Sequence, residues 1–151
     1  MVQLNPFRKI LAQSDSVYLD TNVLIYHLEG VLPYAELTGR LFETIEEGGL
    51  KGFTSTLSIL ELNVGPYQLN RPELSLTYMA LLKNLPNFSI EPLSLDTADS
   101  AAKLRAKYRF KTPDSIHLAT ALESHCDLMI GNDKAMKKIT EIEYIYLRSF
   151  L

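Results

Sequence analysis

Ser16-Val17-Tyr18-Leu19-Asp20-Thr21-Asn22-Val23-Leu24-Ile25-Tyr26-His27-Leu28 is the stretch whose reading decides the fold. Ser16 to Leu19 reads as a short buried strand, and Thr21 to Leu28 as a helix that ends near Glu29-Gly30. One acidic residue, Asp20, separates them. The same alternation continues outward. Helices are expected over 34–47, closing at the pair Gly48-Gly49, over 56–63, broken before Gly65-Pro66, and over 74–85, closing at Pro86. Strands are expected at 52–54 and 88–91. Beyond them come helices over 96–108 and 112–124, the latter with Thr112 as N-cap and Pro113 at its first position. A strand at 127–130, a short helix over 133–139 and a strand at 144–147 complete the chain. Short strands alternating with helices need crossover connections, so the expected fold is α/β, a mainly parallel sheet with helices on both faces.

Such sheets place their sites at the carboxyl ends of strands. Asp20 and Asp133 each follow an expected strand directly, and Asp114 follows a loop that opens a helix. Each has a structural use as a cap or first-turn acid, where the helix dipole favours negative charge. Glu61 is harder to place that way. Leu57, Leu60 and Val64 stand four before, one before and three after it, which sets its carboxylate on or beside an apolar helix face. Two carboxylates ~5 Å apart at an effective dielectric near 20 repel by roughly 3 kcal/mol. Four that converge, with no basic residue beside them, call for a hard divalent cation, and so for metal-assisted phosphodiester chemistry. The hydroxyl of Thr21 and the amide of Asn22 follow Asp20 and can orient carboxylates and water around an ion. His117, three residues after Asp114, reads first as an interior histidine packed on the sheet and second as support for the site.

The 151 residues, 46% hydrophobic and 22% charged, suffice for one core and lead to the expectation of a single domain over 1–151. No apolar run reaches the roughly 18 residues that cross a bilayer. The lone cysteine, Cys126, leaves no internal disulfide and suits a reducing, cytoplasmic setting. A net charge of -3 argues against nucleic-acid binding by bulk electrostatics, so any polyanion must be held locally. Lys103, Lys107 and Lys111 would form a stripe if one helix carried all three, and Lys134 follows Asp133 directly. There is no phosphate-binding glycine loop, no dinucleotide fingerprint, no nucleophile elbow and no histidine pair at zinc spacing.

Leu19-Asp20-Thr21-Asn22, Glu61 within Ser58-Ile59-Leu60-Glu61-Leu62, Thr112-Pro113-Asp114-Ser115-Ile116-His117-Leu118-Ala119-Thr120-Ala121-Leu122, and Gly131-Asn132-Asp133 resemble, in order, the four acidic motifs of PIN-domain nucleases. The likeness is nearest to the VapC-type toxins of toxin–antitoxin pairs. The resemblance implies a three-layer α/β/α sandwich and an endoribonuclease dependent on Mg²⁺ or Mn²⁺, which hydrolyses RNA through metal-activated water and leaves 5′-phosphate and 3′-hydroxyl ends. It makes Asp20, Asp114 and Asp133 metal ligands, Glu61 a carboxylate acting through water, and Thr21, Asn22 and Asn132 supporting residues. It also implies an antitoxin partner and a homodimer; the lack of a long apolar run leads to the expectation of no membrane association. The family often has threonine where this chain has Gly131. Two other readings stay open: a non-catalytic RNA-binding or protein-interaction module on the same fold, and a nuclease acting on DNA or flaps.

Overall fold

A computed structural model describes residues 1–151. In chain order the elements are α1 (Leu4–Ala12), β1 (Ser16–Leu19), α2 (Thr21–Leu28), α3 (Tyr34–Glu46), β2 (Lys51–Ser55), α4 (Thr56–Gln68), α5 (Pro72–Asn84), β3 (Phe88–Glu91), α6 (Leu95–Tyr108), α7 (Thr112–Glu123), β4 (Leu128–Gly131) and β5 (Glu143–Tyr146). Short 3₁₀ turns follow at Lys134–Lys138 and Leu147–Phe150.

The five strands lie in the order β3-β2-β1-β4-β5, and every neighbouring pair is parallel. Side chains alternate along each strand, so the central strands feed two separate cores. Val17 and Leu19 of β1, with Leu128 and Ile130 of β4, join Phe7, Leu24, Leu41 and Leu62 on the face covered by α1 to α5. Tyr18 and Met129 point the other way, into a smaller core with Leu104 of α6 and Leu118 of α7. The expected α/β/α sandwich is therefore present, with β1 and β4 buried on both faces.

From β1 the chain adds β2 and β3 on one side, then crosses back to add β4 and β5 on the other. The order thus reverses between β1 and β4. At such a switch point the connections leave in opposite directions, opening a crevice at the carboxyl edge. Asp20 and Asp133 sit just past the two strands that frame it.

Several local expectations are corrected. Helix α1 lies outside the expected elements, although Leu4, Phe7 and Leu11 carry helical spacing and Phe7 and Leu11 are fully buried. Helix α4 runs through Gly65-Pro66 to Gln68 rather than breaking before them. Proline removes one backbone donor near the end of α4, and packing tolerates the loss. Helix α3 does end near the glycine pair, with Gly48 at φ +86°, a conformation in which a Cβ would be strained. The N-cap of α7 is Lys111, with Thr112 as its first helical residue. Helix α6 stops at Tyr108, where Arg109 adopts a left-handed φ of +59°. Lys111 therefore lies on a different element from Lys103 and Lys107, and the three form no single stripe.

Candidate active site

Asp20 is the N-cap of α2, and its Oδ1 accepts a 2.7 Å hydrogen bond from the Thr21 N–H. Asp133 likewise caps the 3₁₀ turn through the Ala135 N–H at 2.9 Å. A cap at a strand's carboxyl end already faces the switch point, so the capping role by itself brings both carboxylates to the same edge of the sheet. Asp114 lies in the first turn of α7. Glu61 enters from α4, but not for the reason its neighbours suggested. Leu60 and Val64 are 62% and 43% exposed. The buried residues of α4 are Ser58, Leu62, Asn63 and Pro66, and half-buried Glu61 stands at the edge of that face.

The acids do have a basic residue among them. His117 of α7 is 1% exposed, and its Nε2 lies 2.7 Å from Glu61 Oε1 and 3.5 Å from Asp20 Oδ1. A carboxylate can only accept, so Nε2 carries the proton and donates it to Glu61. On the other side of the ring, Nδ1 is 2.6 Å from the hydroxyl of Tyr18, a fully buried residue of β1. The Thr21 hydroxyl is 2.9 Å from Glu61 Oε1, 3.2 Å from Ser58 Oγ and 3.3 Å from His117 Nε2. The chain Tyr18–His117–Glu61–Thr21 thus ties β1, α7, α4 and α2 together. His117 is both the interior histidine and the support of the acids.

Electrostatics follow from this arrangement. Burial raises the Asp20 pKa, His117 and the Thr21 N–H oppose it, and the charges of Glu61 and Asp133 add to it. Burial likewise raises Asp114, helped by Asp133 and Asp20 and opposed by His117 and Lys111. Glu61 is held below the usual range, chiefly by its hydrogen bond from His117. Burial alone would lower His117, but the bond to Glu61 and the charges of Asp20, Glu61 and Asp114 outweigh it and raise its pKa. The charge of Asp133 thus acts on both Asp20 and Asp114, that of Asp20 acts on Asp114, and one imidazole only partly offsets them.

The donor set is carboxylate oxygen, which suits a hard cation. No three side chains close directly on one point. That still fits Mg²⁺, which usually keeps several waters and takes one or two carboxylates. Among the other expected residues, Thr21 joins the network, while Asn22 is exposed. Asn132 is turned elsewhere: its amide donates to the Tyr26 hydroxyl at 3.0 Å, and its Oδ1 accepts from the Arg148 N–H at 3.0 Å. It braces the loop after β4 rather than the acids. Lys103 pairs with Asp99 at 3.2 Å and Lys107 with Glu141 at 3.1 Å, whereas Lys111 and Lys134 are exposed and make no ion pair.

Fold and site together define an α/β/α protein with an acidic crevice at the carboxyl edge of a parallel sheet. The model of the PIN domain family matches residues 17–142, and the chain belongs to that family. No curated protein matches the sequence. Solved structures do. A toxin–antitoxin complex from Klebsiella pneumoniae contains a chain 28% identical, with a TM-score of 0.64, matched over 83% of this chain and 94% of that one. VapBC2 from Rickettsia felis, bound to a DNA fragment from its promoter, matches at 14% identity and a TM-score of 0.67, over 87% of this chain and 98% of that one. The Mycobacterium tuberculosis toxin VapC20, described as cleaving the sarcin–ricin loop, matches at 11% identity and a TM-score of 0.64, over 83% of this chain and 98% of that one.

Proposed function

We propose that residues 1–151 act as one cytoplasmic, metal-dependent endoribonuclease domain, the toxin of a toxin–antitoxin pair. The observation that carries the reading is the convergence of Asp20 and Asp133 at the switch point of a PIN-family sheet, with Asp114 and Glu61 brought in from α7 and α4. Asp20, Asp114 and Asp133 would hold Mg²⁺ or Mn²⁺, in part through bound water, and its charge would offset the burial and the repulsion that raise the first two. When bound, the ion supplies a Lewis acid for the phosphate and lowers the pKa of coordinated water.

The chain's own residues do the rest. Glu61 is ionised at neutral pH and held on one side by His117 and Thr21, which leaves its carboxylate able to accept from and orient the attacking water. His117 keeps its proton on Nε2, so Glu61 is aimed but not neutralised. Lys111 and Lys134 flank Asp114 and Asp133 in sequence and can meet the RNA backbone without forfeiting an ion pair. No helix is long and apolar enough to cross a membrane. A protein partner, whether an antitoxin or a second copy, is supported by the apolar side chains that α4 and α5 leave exposed, Leu60, Tyr67, Leu76 and Leu81 among them. The toxin–antitoxin complexes among the structural neighbours support the same reading.

The test is cleavage of a mixed RNA pool by the wild type and by Asp20→Asn, with Mg²⁺, with Mn²⁺ and with chelator. Cleavage is expected only in the wild type with metal, leaving 5′-phosphate and 3′-hydroxyl ends. Cyclic-phosphate ends, or equal cleavage by Asp20→Asn, would overturn the mechanism. Metal-independent RNA binding without cleavage would favour the non-catalytic module, and preferential cleavage of DNA the other nuclease reading.

A further inference from the structure

Gly131, the last residue of β4, faces a space already filled. Strands β4 and β5 pair with Met129 opposite Tyr144 and Gly131 opposite Tyr146. Positions 129 and 131 share a face, and half-buried Tyr144 packs on that face against the smaller core. Its ring reaches toward the carboxyl edge and over Gly131. A Cβ at 131 would lie 2.6 Å from the Tyr144 hydroxyl, 3.3 Å from its ring and 3.3 Å from Asp20 Oδ2. One point thus lies within 3.3 Å of both the phenolic oxygen and a carboxylate of the site. The same phenolic oxygen accepts a 3.1 Å hydrogen bond from the Asp133 N–H.

We propose that Tyr144 is a positioning residue of the acidic site, holding the Asp133 peptide beside Asp20 through a hydroxyl for which only a glycine at 131 leaves room. Asp133 is then fixed twice, its peptide by Tyr144 and its carboxylate by the Ala135 N–H. Without the phenolic oxygen, the turn after β4 loses the contact that sets how far Asp133 stands from Asp20. The inference rests on reading these acids as the metal-holding set.

The test compares the wild type, Tyr144→Phe, Gly131→Ala and the double variant, with three readouts: Mn²⁺ affinity by calorimetry, solvent exchange of the Asp133 amide by NMR, and RNA cleavage. Tyr144→Phe keeps the ring and removes only the oxygen. It is expected to weaken Mn²⁺ binding by roughly 10–100-fold, the usual effect of removing a group that orients a ligand, and to speed Asp133 exchange. Gly131→Ala pushes the hydroxyl away and should do the same. In the double variant, Gly131→Ala should cost less than it costs in the wild type, because the 2.6 Å clash with the hydroxyl is gone and only the 3.3 Å contacts with the ring and with Asp20 Oδ2 remain. Wild-type Mn²⁺ affinity in Tyr144→Phe, even with lowered thermal stability, would overturn the proposal and leave the nuclease reading intact. A wild type that binds no Mn²⁺ would overturn both, and that result is read before any variant is made.

Discussion

Asp20→Asn separates a carboxylate held for function from one held for folding. The amide keeps the shape of the side chain, caps a helix about as well, and can still accept from the Thr21 N–H 2.7 Å away. What it removes is a charge. The folded-state pKa of Asp20 is raised above 3.8, so ionisation at neutral pH works against folding, by about 1.4 kcal/mol for each tenfold change in proton affinity. The charges of Glu61 and Asp133 add to this cost, by less than burial does. The attraction to His117 at 3.5 Å opposes this, but burial leads the balance and His117 keeps Glu61 at 2.7 Å. The metal-free variant should therefore melt at the wild-type temperature or up to about 4 °C higher, taking 1 kcal/mol as about 2–4 °C at this size. Mn²⁺ at a hundred times its Kd should stabilise the wild type by about 2.7 kcal/mol, or about 5–10 °C, and the variant hardly at all. Differential scanning calorimetry in chelator and in MnCl₂ reads both effects. A fall of more than about 8 °C in chelator, or equal Mn²⁺ shifts in both proteins, would refute the argument.

Three further outcomes are expected. His117 has a raised folded pKa, so its contribution to stability is full below 6.5 and lost as pH rises through the folded value. The metal-free protein should melt lower as pH goes from 6.5 to 9, and His117→Gln should flatten that slope. His27, lowered by burial, acts with opposite sign below 6.5, and Cys126, pushed up to about 12 from 9.0, stays protonated across this window. Tyr18→Phe strands Nδ1 of His117 in the core and should cost about 1–3 kcal/mol by urea denaturation. Finally, Lys111→Ala and Lys134→Ala should each reduce the salt slope of RNA binding by about 0.7, measured by fluorescence anisotropy. Lys103→Ala, already paired with Asp99, should leave that slope unchanged.

Much of the fold was legible because its signals are local. Val17, Tyr18 and Leu19 followed by Asp20 mark a strand and a helix start without reference to any other part of the chain. The misses are local signals that tertiary packing overrode or that were too short to stand out. Helix α1 carries its apolar residues at helical spacing, yet Pro6 in its first turn resembles a break although that position tolerates proline. Pro66 resembles a stop, but α4 packs against α2 and α5 and continues. The lysine stripe failed because Arg109 turns left-handed, which no periodicity announces.

From β1 onward the sequence by itself determined the order of strands and helices and placed Asp20 and Asp133 at strand ends, because alternation, capping and turn chemistry act over a few residues. Only the tertiary structure decided what those acids meet. His117 reaches Glu61 across 56 residues and Tyr18 across 99, and Tyr144 reaches the Asp133 amide through the pairing of β5 on β4. Periodicity tells a residue which face it takes. Which other residues that face confronts depends on sheet order and register, and these are set by the packing of the whole chain.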